Sequence, residues 1–185
     1  MAEFKLDLDG ATNIILGDES EKDRDKLRSG YILAAKTLNK EALKNPLSAG
    51  YHLIYPILYC LRHYFELELK YYYSQFKGQW PKSKGHLLEK KWYEVIKANY
   101  EKLLGCSIPG QIIDYIEIFN ELDPRGDYFK YEFDTKDENF RKDTFDERGK
   151  RKKWGDPCHV GLQSLSNDIE IIEDVFLELE DALYR

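Results

Sequence analysis

The sequence predicts an all-α protein, an antiparallel bundle of about five helices with one long, partly β-like insertion between the fourth and last helices. Three observations predict it. Apolar residues recur at three- and four-residue steps in five separate segments. Pro and Gly punctuate those segments at short intervals. Only residues 123–160 lack helical periodicity for longer than an ordinary connection needs. The 185 residues read as one domain spanning 1–185, a size that buries roughly 70% of the unfolded chain's surface.

Residues 1–17 read as an irregular lead-in with Asp9-Gly10 and a small apolar patch at Ile15 and Leu16. From about Ser20 to Leu43, Leu27, Tyr31, Ala34, Ala35 and Leu38 share one helical face, and acids cluster at the start. Asn45-Pro46 then reads as an N-cap followed by proline at the first helical position. It opens the principal helix, which runs to about Phe76. Pro56 lies inside this helix and predicts a kink near Tyr55, because proline removes a donor and crowds the preceding turn.

A third helix is expected from about His86 to Leu104, with Leu87, Leu88, Trp92, Val95, Ile96 and Tyr100 facing inward and Gly105 as its stop. A fourth follows Pro109 and ends near Leu122. The insertion begins with Asp123-Pro-Arg-Gly126, passes through a strand-like Tyr-Phe-Lys-Tyr-Glu-Phe alternation, and ends rich in charge and Gly, which allows a β-hairpin. The last helix, about Leu162 to Tyr184, places Leu165, Ile169, Ile172, Phe176, Leu179 and Leu183 on one face and acids on the other.

Composition narrows the function classes. Fourteen Tyr, nine Phe and three Trp against one Met predict an aromatic core and exclude disorder of the whole chain. No apolar run approaches the ~20 residues of a membrane span, and the start lacks the flank and apolar stretch of a signal peptide. No membrane contact is expected, and a cytoplasmic location is. Cys60, Cys106 and Cys158 fit neither a disulfide framework nor a CxxC clamp and are expected to be buried thiols. Cys158-His159 is no nucleophile arrangement, since adjacent residues seldom aim at one another for proton transfer.

The net charge of −6 argues against a general grip on nucleic acid, yet charge is uneven. Residues 141–153 hold seven basic side chains against three acidic ones, and residues 168–185 hold seven acids against one arginine. Within the basic segment, Lys150, Arg151, Lys152 and Lys153 precede Trp154. Charge, Gly flexibility and an aromatic together could track a phosphate backbone and stack a base. The alternative is a solvated cluster that pairs with the acidic last helix.

The principal helix carries the more specific pattern. A helical projection sets Ile54, Leu58, Leu61, Phe65, Leu69 and Tyr72 on a core face. Beside it runs a stripe of Tyr55, Tyr59, Arg62, His63, Glu66, Lys70 and Tyr73. Glu66 lies one turn from both Arg62 and Lys70, and histidine is the side chain that changes charge near neutrality. His86, after a loop of about nine residues, should return beside Lys70 and Tyr73. Arg62, His63, Glu66 and His86 are therefore candidate catalytic groups, and Tyr59, Lys70 and Tyr73 candidate ligand contacts, for phosphate binding or proton transfer. The alternative is a surface ion-pair ladder with His63 as filler. On either reading Arg62 and His63 lie off the apolar face, so replacing them should leave stability nearly unchanged. Nothing resembles HExxH, and no metal or cofactor is expected.

The run Arg62-His63-Tyr64-Phe65-Glu66-Leu67-Glu68-Leu69-Lys70, the downstream His86-Leu87-Leu88 and Asp127-Tyr128-Phe129-Lys130-Tyr131 resemble an uncharacterised bacterial group of the HEPN superfamily of helical bundles, over residues 46–135. The resemblance implies an RNA- or nucleotide-binding protein, with ribonucleases and components of phage-defence or toxin–antitoxin systems among its relatives. The superfamily's ribonucleases carry an Arg-x(4–6)-His pattern that this chain lacks, since Arg62 adjoins His63 and Arg151 precedes His159 by eight positions. Whether the chain is an enzyme is left open. A non-catalytic interaction module stands beside this reading, with the Tyr-rich helix forming a homodimer or holding a partner protein.

Overall fold

The computed structural model describes residues 21–81, 86–123, 126, 129, 144–145, 151–152 and 160–185. Five α-helices carry the described fold: α1 (Glu21–Lys44), α2 (Tyr51–Lys77), α3 (Lys90–Leu104), α4 (Gln111–Leu122) and α5 (Leu162–Tyr184). Two dipeptide strands, Thr144–Phe145 and Arg151–Lys152, pair antiparallel. Apart from 123, 126, 129 and 160, the rest of the expected β-like insertion lies outside the described residues, as does the expected lead-in. Among the described residues no helix is long and apolar enough to cross a membrane.

Local signals set most helix ends. Asn45 caps as its type predicts, its side chain accepting from the Ser48 amide at 3.3 Å with Pro46 at the start of the turn. That turn, Pro46–Gly50, is π-helical and leads directly into α2. Pro56 lies inside α2, which runs through it as one helix. At the far ends of α2 and α3, Gly78 and Gly105 adopt left-handed backbone and donate to the Ser74 and Glu101 carbonyls.

Side-chain pairings fix the directions of the helices. Arg28 meets Glu68 and Tyr31 meets His63, so α1 runs antiparallel to α2. Asn39 donates to the Leu162 carbonyl and Arg28 approaches Glu180, so α5 is antiparallel to α1. It is therefore parallel to α2, and Tyr71 accordingly meets Tyr184. A parallel return needs a crossover, which α3, α4 and the insertion supply.

Helix α2 is the central rod. Its Phe65 ring packs on Tyr115 and Phe119 of α4 and on Phe176 of α5, and Tyr64 and Tyr72 also meet Phe176. Tyrosine hydroxyls of α2, α3 and α4 tie those helices to α5: Tyr72 donates to the Phe176 carbonyl, Tyr100 to Glu178 and Tyr115 to Asp168, each within 2.9 Å.

Three expectations are corrected. The buried side of α1 is Arg28, Ile32, Ala35, Asn39 and Ala42, whereas Leu27 is exposed. The polar members Arg28 and Asn39 turn inward because Glu68 and the Leu162 carbonyl receive them. Helix α3 starts at Lys90 instead of His86, and Leu87 is exposed, because the 86–88 backbone is engaged elsewhere: the Leu88 amide and carbonyl both bond the Asn120 side chain. Among the cysteines, Cys60 is half-buried and Cys106 is exposed; Cys158 lies outside the described residues.

Trp92 of α3 is fully buried, and its indole nitrogen has no hydrogen-bond partner among the described residues. Trp92→Ala should therefore cost about 3–5 kcal/mol in urea unfolding. Trp92→Phe, which keeps most of the volume and forfeits no hydrogen bond, should cost well under half of that.

Candidate functional site

The central position of α2 changes the character of its polar stripe. Arg62 and Glu66 are buried, at 2% and 3% exposure, so the stripe does not face solvent as a ladder. Removing both groups from water demands a full set of partners, and the chain provides them from three segments. Arg62 Nη2 donates to the His86 carbonyl at 2.6 Å, and Nε donates to the Asp123 carbonyl at 3.1 Å, with the Asp123 carboxylate at 3.4 Å. Nη1 reaches Glu66 Oε2 at 3.4 Å. The guanidinium thereby clamps the segment before α3 and the segment after α4 onto one face of α2.

Glu66 is the hub. Lys70 Nζ donates to Oε1 at 2.6 Å, and His86 Nδ1 lies 3.1 and 3.3 Å from the two carboxylate oxygens. His63 Nδ1 approaches Oε2 at 4.0 Å. Burial alone would raise this carboxyl, but the hydrogen bonds and charges of Lys70, then His86, outweigh it and hold Glu66 below the usual carboxylate range. Both imidazoles thus border one ionised carboxylate. Their exposure differs: the His86 side chain is 50% exposed, the His63 side chain 23% and the Lys70 side chain 16%.

Aromatic rings frame His63. Tyr31 of α1 packs edge-on to it, centroids 4.5 Å apart, and Tyr59 lies near-parallel at 5.9 Å. The Lys70 ammonium sits 5.8 Å from the Trp92 ring. Tyr73 packs half-buried against the core, and among the described residues the structure does not bring it onto Glu66. Of the basic segment, Lys150 and Lys153 lie outside the described residues, and Arg151 and Lys152 are described only as backbone of the short strand pair. Among the described residues no group of three or more His, Cys, Asp or Glu side chains could hold a metal ion.

Four residues of this site have no place in it on sequence grounds. Tyr31 belongs by periodicity to the core face of α1, and Asn120 to the fourth helix without a role. Asp123 and Gly126 are visible only as turn signals. Gly126 is required twice over: its φ is +73°, and a Cβ there would come within 3.0 Å of Arg62 Nη1 and of His86 Cβ.

No family model, curated protein or solved structure matches the chain.

Arg62→Ala should cost about 3–5 kcal/mol, since it leaves buried carbonyls and Glu66 without their donor. This reverses the expectation of a near-neutral change. His63→Ala, at a part-exposed position, should stay within about 1 kcal/mol, and urea unfolding of the two variants separates the roles.

The lowered Glu66 carboxyl fixes a pH dependence. Its contribution to stability is present above the value of 4.5 for an unperturbed glutamate and is lost as pH falls through its lower folded value. Acid titration of thermal stability should show this loss in wild type and a flatter limb in Glu66→Gln.

Proposed function

We propose that this chain is a HEPN-like helical protein that binds RNA or a nucleotide, with a phosphate seated at the edge formed by Lys70, His86 and His63. The observation that carries the reading is the convergence of two imidazoles and one ammonium group on the single ionised carboxylate of Glu66, with His86 half open to solvent. The carboxylate orients the Nδ1 side of His86 and leaves the opposite ring nitrogen for a ligand oxygen. Arg62 and Glu66 act as positioning residues, because both are spent on buried partners. Tyr59 and Tyr31 supply ring faces next to His63, suited to an unstacked base. The segment Lys150, Arg151, Lys152 and Lys153 adds phosphate contacts along the backbone. Two histidines are the groups that acid–base cleavage of a phosphodiester needs. The missing Arg-x(4–6)-His pattern makes binding, not cleavage, the function proposed.

One observation favours a second reading. Leu47 and Tyr51, 87% and 76% exposed, and the also exposed Tyr55 follow one another at four-residue steps across the start of α2. Such a face suits a second copy or a partner protein, and sedimentation mass reports on the homodimer directly.

The test is fluorescence anisotropy with a single-stranded RNA oligonucleotide at three salt concentrations. Lys70→Ala combined with His86→Ala should weaken binding at least tenfold. Changing residues 150–153 to Ala should weaken it and flatten the salt slope by about 0.7 for each phosphate no longer neutralised. Affinities and slopes equal to wild type in both variants would remove nucleic acid from both the Glu66 edge and the 150–153 segment, and a wild type that does not bind at the lowest salt would remove it from the protein's function.

A further inference from the structure

A second buried ionic cluster lies on the opposite flank of α2, and the proposed RNA site makes no use of it. Arg28 of α1 is buried and donates to Glu68 at 2.6 Å and to Asp25 at 2.7 Å, with Glu180 of α5 at 3.6 Å. Its guanidinium carbon lies 3.8 Å from the centre of the Tyr71 ring. The cluster borders a cavity of about 260 Å³ between α1, α2 and α5, which Tyr64, Tyr72 and Glu173 also line. Lys36 pairs with Glu173. Around Glu68 the charged and titratable groups among the described residues are therefore Asp25 and Arg28 from α1, Tyr64, Tyr71 and Tyr72 from α2, and Glu173 and Glu180 from α5. Asp25, Glu68, Glu173 and Glu180 share the cations Arg28 and Lys36, and Glu68 is the carboxylate buried among them.

We propose that this junction is a pH-responsive latch: when the Glu68 carboxyl loses its proton, the N-terminal half of α1 is held less firmly against α2 and α5. Burial makes the charged form of Glu68 costly. Arg28 offsets part of that cost, and the carboxylates of Glu180 and Asp25 add to it. The balance pushes the Glu68 carboxyl up to about 7 from the ordinary 4.5. The sign follows from which state keeps the proton. With α1 docked, Glu68 holds its proton to about pH 7; with α1 detached and Glu68 in water, it releases the proton near 4.5. Docking is strongest at the acid end of that window, weakens as pH rises through it, and levels off above. Tyr31 lies one turn beyond Arg28 on α1 and packs on His63, so loosening the latch also withdraws an aromatic wall from the other flank. The latch itself requires no ligand and stands whether or not RNA binds.

The experiment is native-state amide hydrogen exchange of the full chain, reading Arg28 and Ile32 of α1 against Ile116 and Phe119 of α4, corrected for intrinsic exchange rates. From about pH 5 to about pH 8 the opening constant of the α1 amides should rise on the order of 50-fold, while the α4 amides change far less. Glu68→Gln should abolish the rise. Glu180→Gln, at a more exposed position, should move the rise to lower pH by removing one neighbouring carboxylate. An α1 opening constant equal at both pH values, or a rise that persists in Glu68→Gln, overturns the latch. If Glu68→Gln does not fold, Glu180→Gln decides, and an unshifted rise there overturns it as well.

Discussion

A helix buried on several sides cannot carry ionisable residues without a partner for each, and this constraint on α2 organises the rest of the chain. Its sequence places Arg62, Glu66 and Glu68 within two turns, all of them buried. An unpaired charge in such a position would cost several kcal/mol, so each residue is matched by a group delivered from elsewhere. Arg62 takes the carbonyls of His86 and Asp123, Glu66 takes Lys70 and His86, and Glu68 takes Arg28. Apolar packing supplies the driving force for burying α2, and these polar matches select which segments lie against which of its faces.

The same constraint shapes the candidate site. Had α2 lain at the surface, Arg62 and Glu66 would have been available to a ligand. Being interior, they hold other groups in place, and the groups left at the edge are His86, His63 and Lys70. Glu66 sits at the centre of that set as a fixed negative charge which orients one imidazole and one ammonium group. The site is therefore built from a rigid interior carboxylate outward, and its solvent-facing members come from α2 and from the irregular segment ahead of α3. On the far flank, Arg28 and Glu68 repeat the arrangement with the charge balance reversed, carboxylates outnumbering cations.

Periodicity makes the five helices legible, and chemistry specific to one residue type makes several ends legible, as at Asn45-Pro46 and Gly105. What periodicity does not reveal is how many sides of a helix are covered. A projection of α2 separates an apolar face from a polar one, and it carries no information that the segments at His86 and Asp123 and the glycine at 126 close over Arg62. The face of α1 misleads for a related reason, since Arg28 and Asn39 look solvent-facing until Glu68 and the Leu162 carbonyl are known to lie opposite. Composition permits a helix to start at His86, ahead of the true start of α3. The His86 backbone is instead claimed by Arg62, and that of Leu88 by Asn120, pairings across 24 and 32 residues that no local pattern encodes.

The central claim is that Arg62 holds the segments around His86 and Asp123 onto α2, and residue-resolved amide exchange tests it most directly. The Leu88 amide donates to Asn120 and the Gly126 amide to the Asp123 carbonyl, so each reports on one of the two clamped segments. In Arg62→Met, which keeps the apolar stem and removes the donors, both amides should lose protection together, while Ile169 and Ile172 in α5 keep most of theirs. Unchanged protection at Leu88 and Gly126 would contradict the account and return Arg62 to the set of residues free to bind a ligand.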